Sequence, residues 1–396
     1  MFENVPTNPP DSIFGLTELF KADPRPEKVN LSVGVYQDEN SITPVMQCVH
    51  EAEAILLKQN RSKSYLPIDG MPGYRKQIAN LILGDELFGR NDICHATAQT
   101  PGGTAALRVA AEILKSVFQV PAIWISDPTW ANHRQIFENV GLVEKQYDYL
   151  DEQGTGLGFA RMMSSLQQAE PGSGILLHAV CHNPTGVDLG DQEWQQLFDF
   201  IRERKLIPLF DFAYQGFGKD IQSDAAPIRR YCGAGGEAIV CNSFSKNFGL
   251  YGERVGGIMA VANTPNAANA MLSQIKSTIR TMYSNPPMHG AQIVNAVLES
   301  PELRAKWEAE LTDVRERIIR LREDFVHRID RLTPEQDFSY VNRQRGMFSY
   351  SGLTKVQVDR LRENHAIYAL GTGRINIAGL NANNIDRICQ AIAIVL

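Results

Sequence analysis

The sequence contains no run approaching ~18 consecutive apolar residues, so no segment is expected to cross a bilayer as a helix. Its opening, MFENVPTNPPDSIFGL, lacks both a basic leader and an apolar stretch, and no signal peptide is expected. Cysteine is scarce. The six residues Cys48, Cys94, Cys181, Cys232, Cys241 and Cys389 form no C-x-x-C pair and no metal-ligand spacing. They are expected to be reduced thiols in a cytoplasmic protein with no bound metal. A strong charge of either sign is also missing: Lys plus Arg total 39 against 45 Asp plus Glu, a net charge of −6. That balance gives no footing for a nucleic-acid or membrane-surface partner. No internal repeat, low-complexity tract or phosphate loop ending in Lys-Ser/Thr occurs, which leaves nucleoside triphosphate binding unsupported.

What is present is ordinary globular material, 396 residues of which 43% are hydrophobic and 21% charged. Such a length buries a large core and usually divides into domains. The first ten residues, rich in Pro and Asn, read as an extended arm. From about residue 95 to 260, short apolar runs alternate with helical spacing. The runs are 122–126 (AIWIS), 174–180 (GILLHAV), 206–211 (LIPLFD), 238–242 (AIVCN) and 255–261. Helical patterns cover 130–140 and 191–204. Runs apolar on both faces, separated by helices, predict an α/β fold with a mostly parallel sheet covered by helices. Beyond about residue 310 the pattern changes. One long charged amphipathic helix over 301–331 is followed by short strands in MFSYSGL, HAIYAL and RINIAGL, a smaller α+β unit.

Chemistry concentrates where these strands end. Lys246 sits in S-F-S-K at 243–246, after a strand and among hydroxyls, with Arg254 eight residues later. An amine there can form an imine with an aldehyde, while Ser243 and Arg254 can hold a phosphate through charge-assisted hydrogen bonds. Asp211 closes an apolar run, and ligands of open parallel sheets lie outside the carboxyl ends of the strands. A carboxylate at that place can pair with a protonated ring nitrogen. His182-Asn183-Pro-Thr-Gly follows another strand, so Asn183 can donate to a ring hydroxyl. Thr100-Pro-Gly-Gly103-Thr104 opens a helix whose free amides and dipole favour an anion. Trp130 can stack on a flat ring, and His133 and His178 can reach Asp211 from behind. Taken singly, each has a plain reading as a turn, a helix start or a core side chain. Together they sit on successive strand ends and serve one cofactor.

N-P-T-G at 183–186, D-x-A-Y at 211–214, S-x-S-K-N-F-G-L-Y at 243–251 and R-V-G at 254–256 resemble the fold-type I pyridoxal-phosphate aminotransferases, more narrowly the subgroup acting on aspartate and aromatic amino acids. The similarity runs from MFENV through VNLSVGVY to GRINIAGL. It implies a homodimer with shared active sites and pyridoxal 5'-phosphate on Lys246 as a Schiff base. Asp211 would face the pyridine nitrogen, Asn183 and Tyr214 the phenolic oxygen, and Trp130 the ring face. Gly103, Thr104, Ser243 and Arg254 would bind the phosphate, with Tyr65 reaching the phosphate of the partner. Arg374, with Gly34 beside it, would hold the α-carboxylate of an amino acid, and Arg280 would cross the interface to a distal carboxylate. Cis bonds are implied before Pro128 and Pro184. The domain scheme expected is an arm over 1–12, a small domain from 13–45 and 311–396, and a large cofactor-binding domain over 46–310.

For substrate, Val35, Thr43, Thr104 and Asn285 look like the aspartate branch. Gln37 and Ser64 match neither branch. The stretches 65–67 and 242–246 lean to the aromatic one. The reading favoured is transfer of an amino group from aspartate to 2-oxoglutarate, with some aromatic activity. The alternatives are an aromatic-amino-acid aminotransferase, a non-enzymatic ligand sensor of the same fold, and a β-decarboxylase or lyase.

Overall fold

Eleven strands and their helices were located in a computed structural model, which describes residues 2–7, 11, 13–60 and 62–396. The arm expected over 1–12 is described only in part. Phe2–Asn4 form one turn of 3-10 helix rather than extended chain, and residues 1, 8–10 and 12 lie outside the described residues.

The strands are β1 (Val29–Asn30), β2 (Cys94–Pro101), β3 (Ile123–Asp127), β4 (Glu144–Asp148), β5 (Gly174–His178), β6 (Ile207–Phe212), β7 (Ala238–Ser243), β8 (Val255–Ala262), β9 (Phe348–Tyr350), β10 (Ile367–Tyr368) and β11 (Arg374–Asn376). Seven of them form one sheet in the order β2-β8-β7-β6-β5-β3-β4. β8 is antiparallel to both its neighbours; the other pairs are parallel. β5, β7 and β8 are buried along their whole length. That burial explains their unbroken apolar sequences. One hydrophobic cluster packs on each side of the sheet.

Because β8 alone is reversed, β2, β3, β4, β5, β6 and β7 all end at one edge, and β8 begins there. Every chain segment leaving that edge, except the one after β4, carries a candidate side chain. Helix Gly102–Ser116 starts directly after β2, and helix Ala131–Val140 follows β3. Asp127–Pro128 and Asn183–Pro184 are cis.

Besides the two-residue β1, two strands of the seven-stranded sheet went unrecognised in the sequence. β2 (CHATAQTP) is built of Ala and polar residues, with no large apolar side chain. β4 (EKQYD) is an edge strand whose burial is confined mostly to Tyr147. Neither carries the β-branched runs by which strands are read.

Beyond the sheet, helix Pro301–Leu332 is capped by Ser300, whose side chain accepts from Leu303 N–H, with Pro301 in the first turn. β1 pairs with β10 and β9 with β11. Residues near 30 are thereby joined to the C-terminal segment: Asn376 donates to the carbonyls of Val33 and Val35. No described helix is long and apolar enough to cross a membrane.

Candidate active site

Asp211 stands at the end of β6 with most of its side chain covered. His133 Nε2 lies 3.0 Å from Asp211 Oδ2, and His133 Nδ1 lies 2.9 Å from Thr129 Oγ1. An ionised carboxylate only accepts, so Nε2 carries the proton and Nδ1 accepts from Thr129. His178 Nε2 is 4.0 Å from the same oxygen. Burial drives the Asp211 pKa upward, but the His133 hydrogen bond and neighbouring positive charge outweigh it and hold the carboxyl below its usual range. Burial also pushes His178 down to about 3, so that imidazole is neutral. Both of its ring nitrogens lack hydrogen-bond partners among the described residues.

Lys246 follows β7. Its Nζ lies 5.0 Å from the centre of the Tyr214 ring. Among the described residues no hydrogen bond holds this ammonium. Burial lowers its pKa to about 8; Asp211 opposes the shift, and Arg254 and Arg374 add to it. A population of free amine therefore exists near neutral pH, which a nucleophile requires. The loop is held from behind. Asn247 Nδ2 donates to the Gln215 carbonyl at 3.2 Å, and Trp307 Nε1, from the long helix, donates to the Asn247 carbonyl at 2.6 Å.

On the other side of Lys246 is a cradle of donors with no anion of its own. Arg254 Nη1 donates to Ser245 Oγ at 3.3 Å and to the Tyr251 carbonyl at 3.0 Å. No carboxylate pairs with it among the described residues. Ser243 and Ser245 hydroxyls are 3.1 Å apart. The first amides of helix Gly102–Ser116 face the same place, and no side chain caps them. Gly102 has φ +78°, and a Cβ there would collide with Nη2 of Arg254; a Cβ on Gly256 would come within 2.7 Å of the Gly102 backbone. Glycine is required where strand, helix start and guanidinium meet this closely. Gly103 lies in that first turn against Ser243, while Thr104 is exposed.

Arg374 is only 2% exposed and has no carboxylate partner among the described residues. Its guanidinium lies over the Phe348 ring at 4.0 Å, donates to the Ser32 carbonyl, and donates from Nη1 to Asn183 Oδ1 at 3.1 Å. Its Nε has no hydrogen-bond partner among the described residues. Burial lowers its pKa to about 10, which leaves it charged at neutral pH. A buried cation without a counter-ion calls for an anionic ligand. Gly34 fits beside it: a Cβ there would come within 2.6 Å of the Phe348 ring. Tyr214 is buried, and burial keeps its hydroxyl protonated well above the usual phenol range.

The strand-end edge thus carries Lys246, Asp211, His133, His178, Asn183, Tyr214, Gly103, Ser243 and Arg254, and Arg374 comes to it from β11. Trp130, half-buried, sits edge-on to His133 with ring centres 5.1 Å apart. Two expected residues are not brought there within this chain. Tyr65 is 90% exposed, and Arg280 is exposed and bonded to Ser284, one turn further along.

Several neighbours escaped the sequence reading. His182 continues the row of imidazoles, stacked on Tyr149 at 3.8 Å and held by Ser126 and Thr185 hydroxyls at 2.9 and 2.8 Å. It stands directly before Asn183, which was the available signal. Ser245 lies inside the S-x-S-K motif. Phe348 gave no signal, because its role depends on a guanidinium far along the chain.

The model of the aminotransferase class I and II family matches residues 26–392. An aspartate aminotransferase of Salmonella typhi is 46% identical to this chain, with 100% of both chains covered. An aromatic-amino-acid aminotransferase of Escherichia coli (strain K12) is 45% identical, again over 100% of both. The crystal structure of an aromatic-amino-acid aminotransferase from Burkholderia pseudomallei, covalently bound to pyridoxal phosphate, superposes with a TM-score of 0.96 at 47% identity and covers 100% of this chain and 99% of that one.

Proposed function

We propose that this chain, which belongs to the aminotransferase class I and II family, transfers the amino group of L-aspartate to 2-oxoglutarate and accepts aromatic amino acids as secondary substrates. It is a pyridoxal-phosphate-dependent aminotransferase. One observation carries the assignment of the site: Lys246, an amine with no hydrogen bond of its own, lies between a buried carboxylate and a cradle of donors that lacks an anion. The donor set suits the cofactor. The unpaired Arg254, the uncapped helix start and the serine hydroxyls match a phosphate. Asp211, backed by His133, matches a ring nitrogen. The unsatisfied nitrogens of His178 and Arg374 mark places where a ligand would complete the bonding.

Pyridoxal phosphate supplies an aldehyde that exchanges for the amino group and a ring that takes up electrons released at the α-carbon. The protein's residues do the rest. Arg374 binds the α-carboxylate and orients the amino acid, with Gly34 leaving room beside Phe348. Lys246 Nζ, once free, would take the proton from the substrate's α-carbon and deliver it to the cofactor's former aldehyde carbon. Asp211 stays ionised and keeps the ring nitrogen protonated. Asn183 and Tyr214 hold the phenolic oxygen, Trp130 covers the ring, and Gly103, Thr104, Ser243 and Arg254 hold the phosphate.

Two assignments depend on a second copy of the chain. In a homodimer Tyr65 reaches the phosphate of the partner and Arg280 binds the distal carboxylate there. The exposure of both side chains agrees with such a role. Residues 13–45 with 311–396 are taken as a small domain, and 46–310 as the large one. The pairing of β1 with β10 supports that division. Six free cysteines accord with a cytoplasmic location.

The test is spectroscopic. Aspartate added to the reconstituted protein without an oxo-acid acceptor is expected to replace the visible absorption band by one at shorter wavelength, with one oxaloacetate formed per site. A band unmoved by aspartate rejects the reading. For the distal carboxylate, Arg280→Ala should lower kcat/KM for aspartate far more than for phenylalanine; equal losses would remove Arg280 from that role.

A further inference from the structure

Asn183 and Tyr214 come from different loops, one after β5 and one after β6. Each loop is closed from behind by a carboxylate that takes no part in the chemistry above. Asp188 accepts from the backbone N–H groups of Cys181 and His182, both at 2.9 Å. Asp224 accepts from those of Gly216, Gly218 and Lys219 at 2.8, 2.9 and 2.8 Å. Neither has a Lys or Arg within ion-pair distance among the described residues. Cys181 and Gly216 both have positive φ, 53° and 93°, so the loops bend sharply where the carboxylates grip them. The two acids line one cleft of about 630 Å³, with Lys219, Arg230, Arg343 and Arg345 around it.

Burial opposes the ionised form of both carboxylates. Burial raises Asp188 to about 6 and Asp224 above its usual value. An ionised group held against its own desolvation, with no direct ion pair among the described residues, depends on its hydrogen bonds to stay in place. What the carboxylates give in return is fixed direction for five amides.

We propose that Asp188 and Asp224 are positioning residues: by gripping the amides of Cys181, His182, Gly216, Gly218 and Lys219, they hold Asn183 and Tyr214 convergent on the same cofactor oxygen. The inference rests on the reading of those two side chains given above. A hydrogen bond loses strength steeply once its angle is lost, so a small loop displacement costs both donors their hold.

The test reads the visible band of the reconstituted protein as a function of pH, not its activity. Asn183→Ala and Tyr214→Phe remove hydrogen bonds to the phenolic oxygen and are expected to raise the midpoint of that titration. Asp188→Asn and Asp224→Asn keep the side-chain shape but confront an N–H with an amide NH2. They are expected to raise the midpoint in the same direction, by about half a pH unit or more. Asp224→Asn added to Tyr214→Phe should shift it little further, because the residue it acts through is already altered. Asp188→Asn added to Asn183→Ala makes the same test if an Asp224 variant does not fold. Midpoints equal to wild type, with only a lower unfolding temperature, would make both acids structural and overturn the proposal. A wild-type band that ignores both pH and Tyr214→Phe would instead remove the reading of Tyr214, and this inference with it.

Discussion

Lys246 and Arg374 present the same physical problem with two outcomes. Both are cations carried into covered surroundings without a paired carboxylate. The ammonium yields, its pKa pushed to about 8, while the guanidinium stays charged. The consequence for Lys246 can be signed. Its folded pKa lies below the unfolded value, so the charged form opposes folding. That opposition is complete below about pH 8 and disappears as the pH rises toward the ordinary lysine value. Lys246→Met should therefore raise the unfolding temperature of the cofactor-free protein at pH 7, with a gain that shrinks between about pH 8 and 10. A gain independent of pH would mean that packing, not charge, is responsible. For catalysis, Lys246→Ala should lower steady-state kcat by roughly 10³-fold or more. Arg374→Ala is expected to cost about 2–4 kcal/mol in kcat/KM for aspartate and phenylalanine alike, since every amino acid carries the α-carboxylate. Steady-state kinetics on the two substrates distinguishes this from the selective loss expected of Arg280.

At the scale of elements, the site is a consequence of one reversed strand. With β8 antiparallel, six strand ends and one strand start meet at a single edge, and the cradle forms where β2 passes into helix Gly102–Ser116. Gly102→Ala strains a left-handed backbone and drives a methyl into Arg254. Cofactor affinity, measured by equilibrium dialysis, should fall at least about tenfold, in line with strain of 1–3 kcal/mol. The same scale separates what was legible in the sequence from what was not. The helical stretch expected around 191–204 is present as helix Asp191–Arg204, whose apolar spacing and acidic first and basic last turns agree. β2 was missed although it leads into the donor cradle beside Arg254, because a strand of Ala and polar residues offers no large apolar side chain. The strand ends themselves were readable, since each is an apolar run stopped by a polar motif. The Phe348 ring beneath Arg374 and the carboxylates behind the loops were not, because they come from contacts between segments. Trp307 is another such case. It joins the long C-terminal helix to the Lys246 loop through one buried N–H. Trp307→Phe keeps the ring stack on Phe248 but leaves the Asn247 carbonyl unpaired, and should cost about 1–3 kcal/mol in denaturant unfolding.

Across the whole molecule, the residues absent from the site matter as much as those in it. Among the described residues, one chain brings the Arg374 guanidinium to the strand-end edge but does not bring Arg280, the residue proposed for a second carboxylate. Arg280 points elsewhere, and Tyr65 stands almost fully exposed on the surface. If the active site is shared between two copies, the deficit has a definite signature. In a two-fold dimer each site takes Lys246 from one subunit and Arg280 from the other. Separately purified Lys246→Ala and Arg280→Ala proteins should each be nearly inactive toward aspartate. After unfolding, mixing in equal amounts and refolding, half of the dimers carry one subunit of each kind. In such a dimer both lesions fall in one site, and the other site is intact. About a quarter of wild-type aspartate activity should therefore return. If Arg280 served the site of its own subunit, every site in the mixture would hold one lesion, and no activity would be recovered.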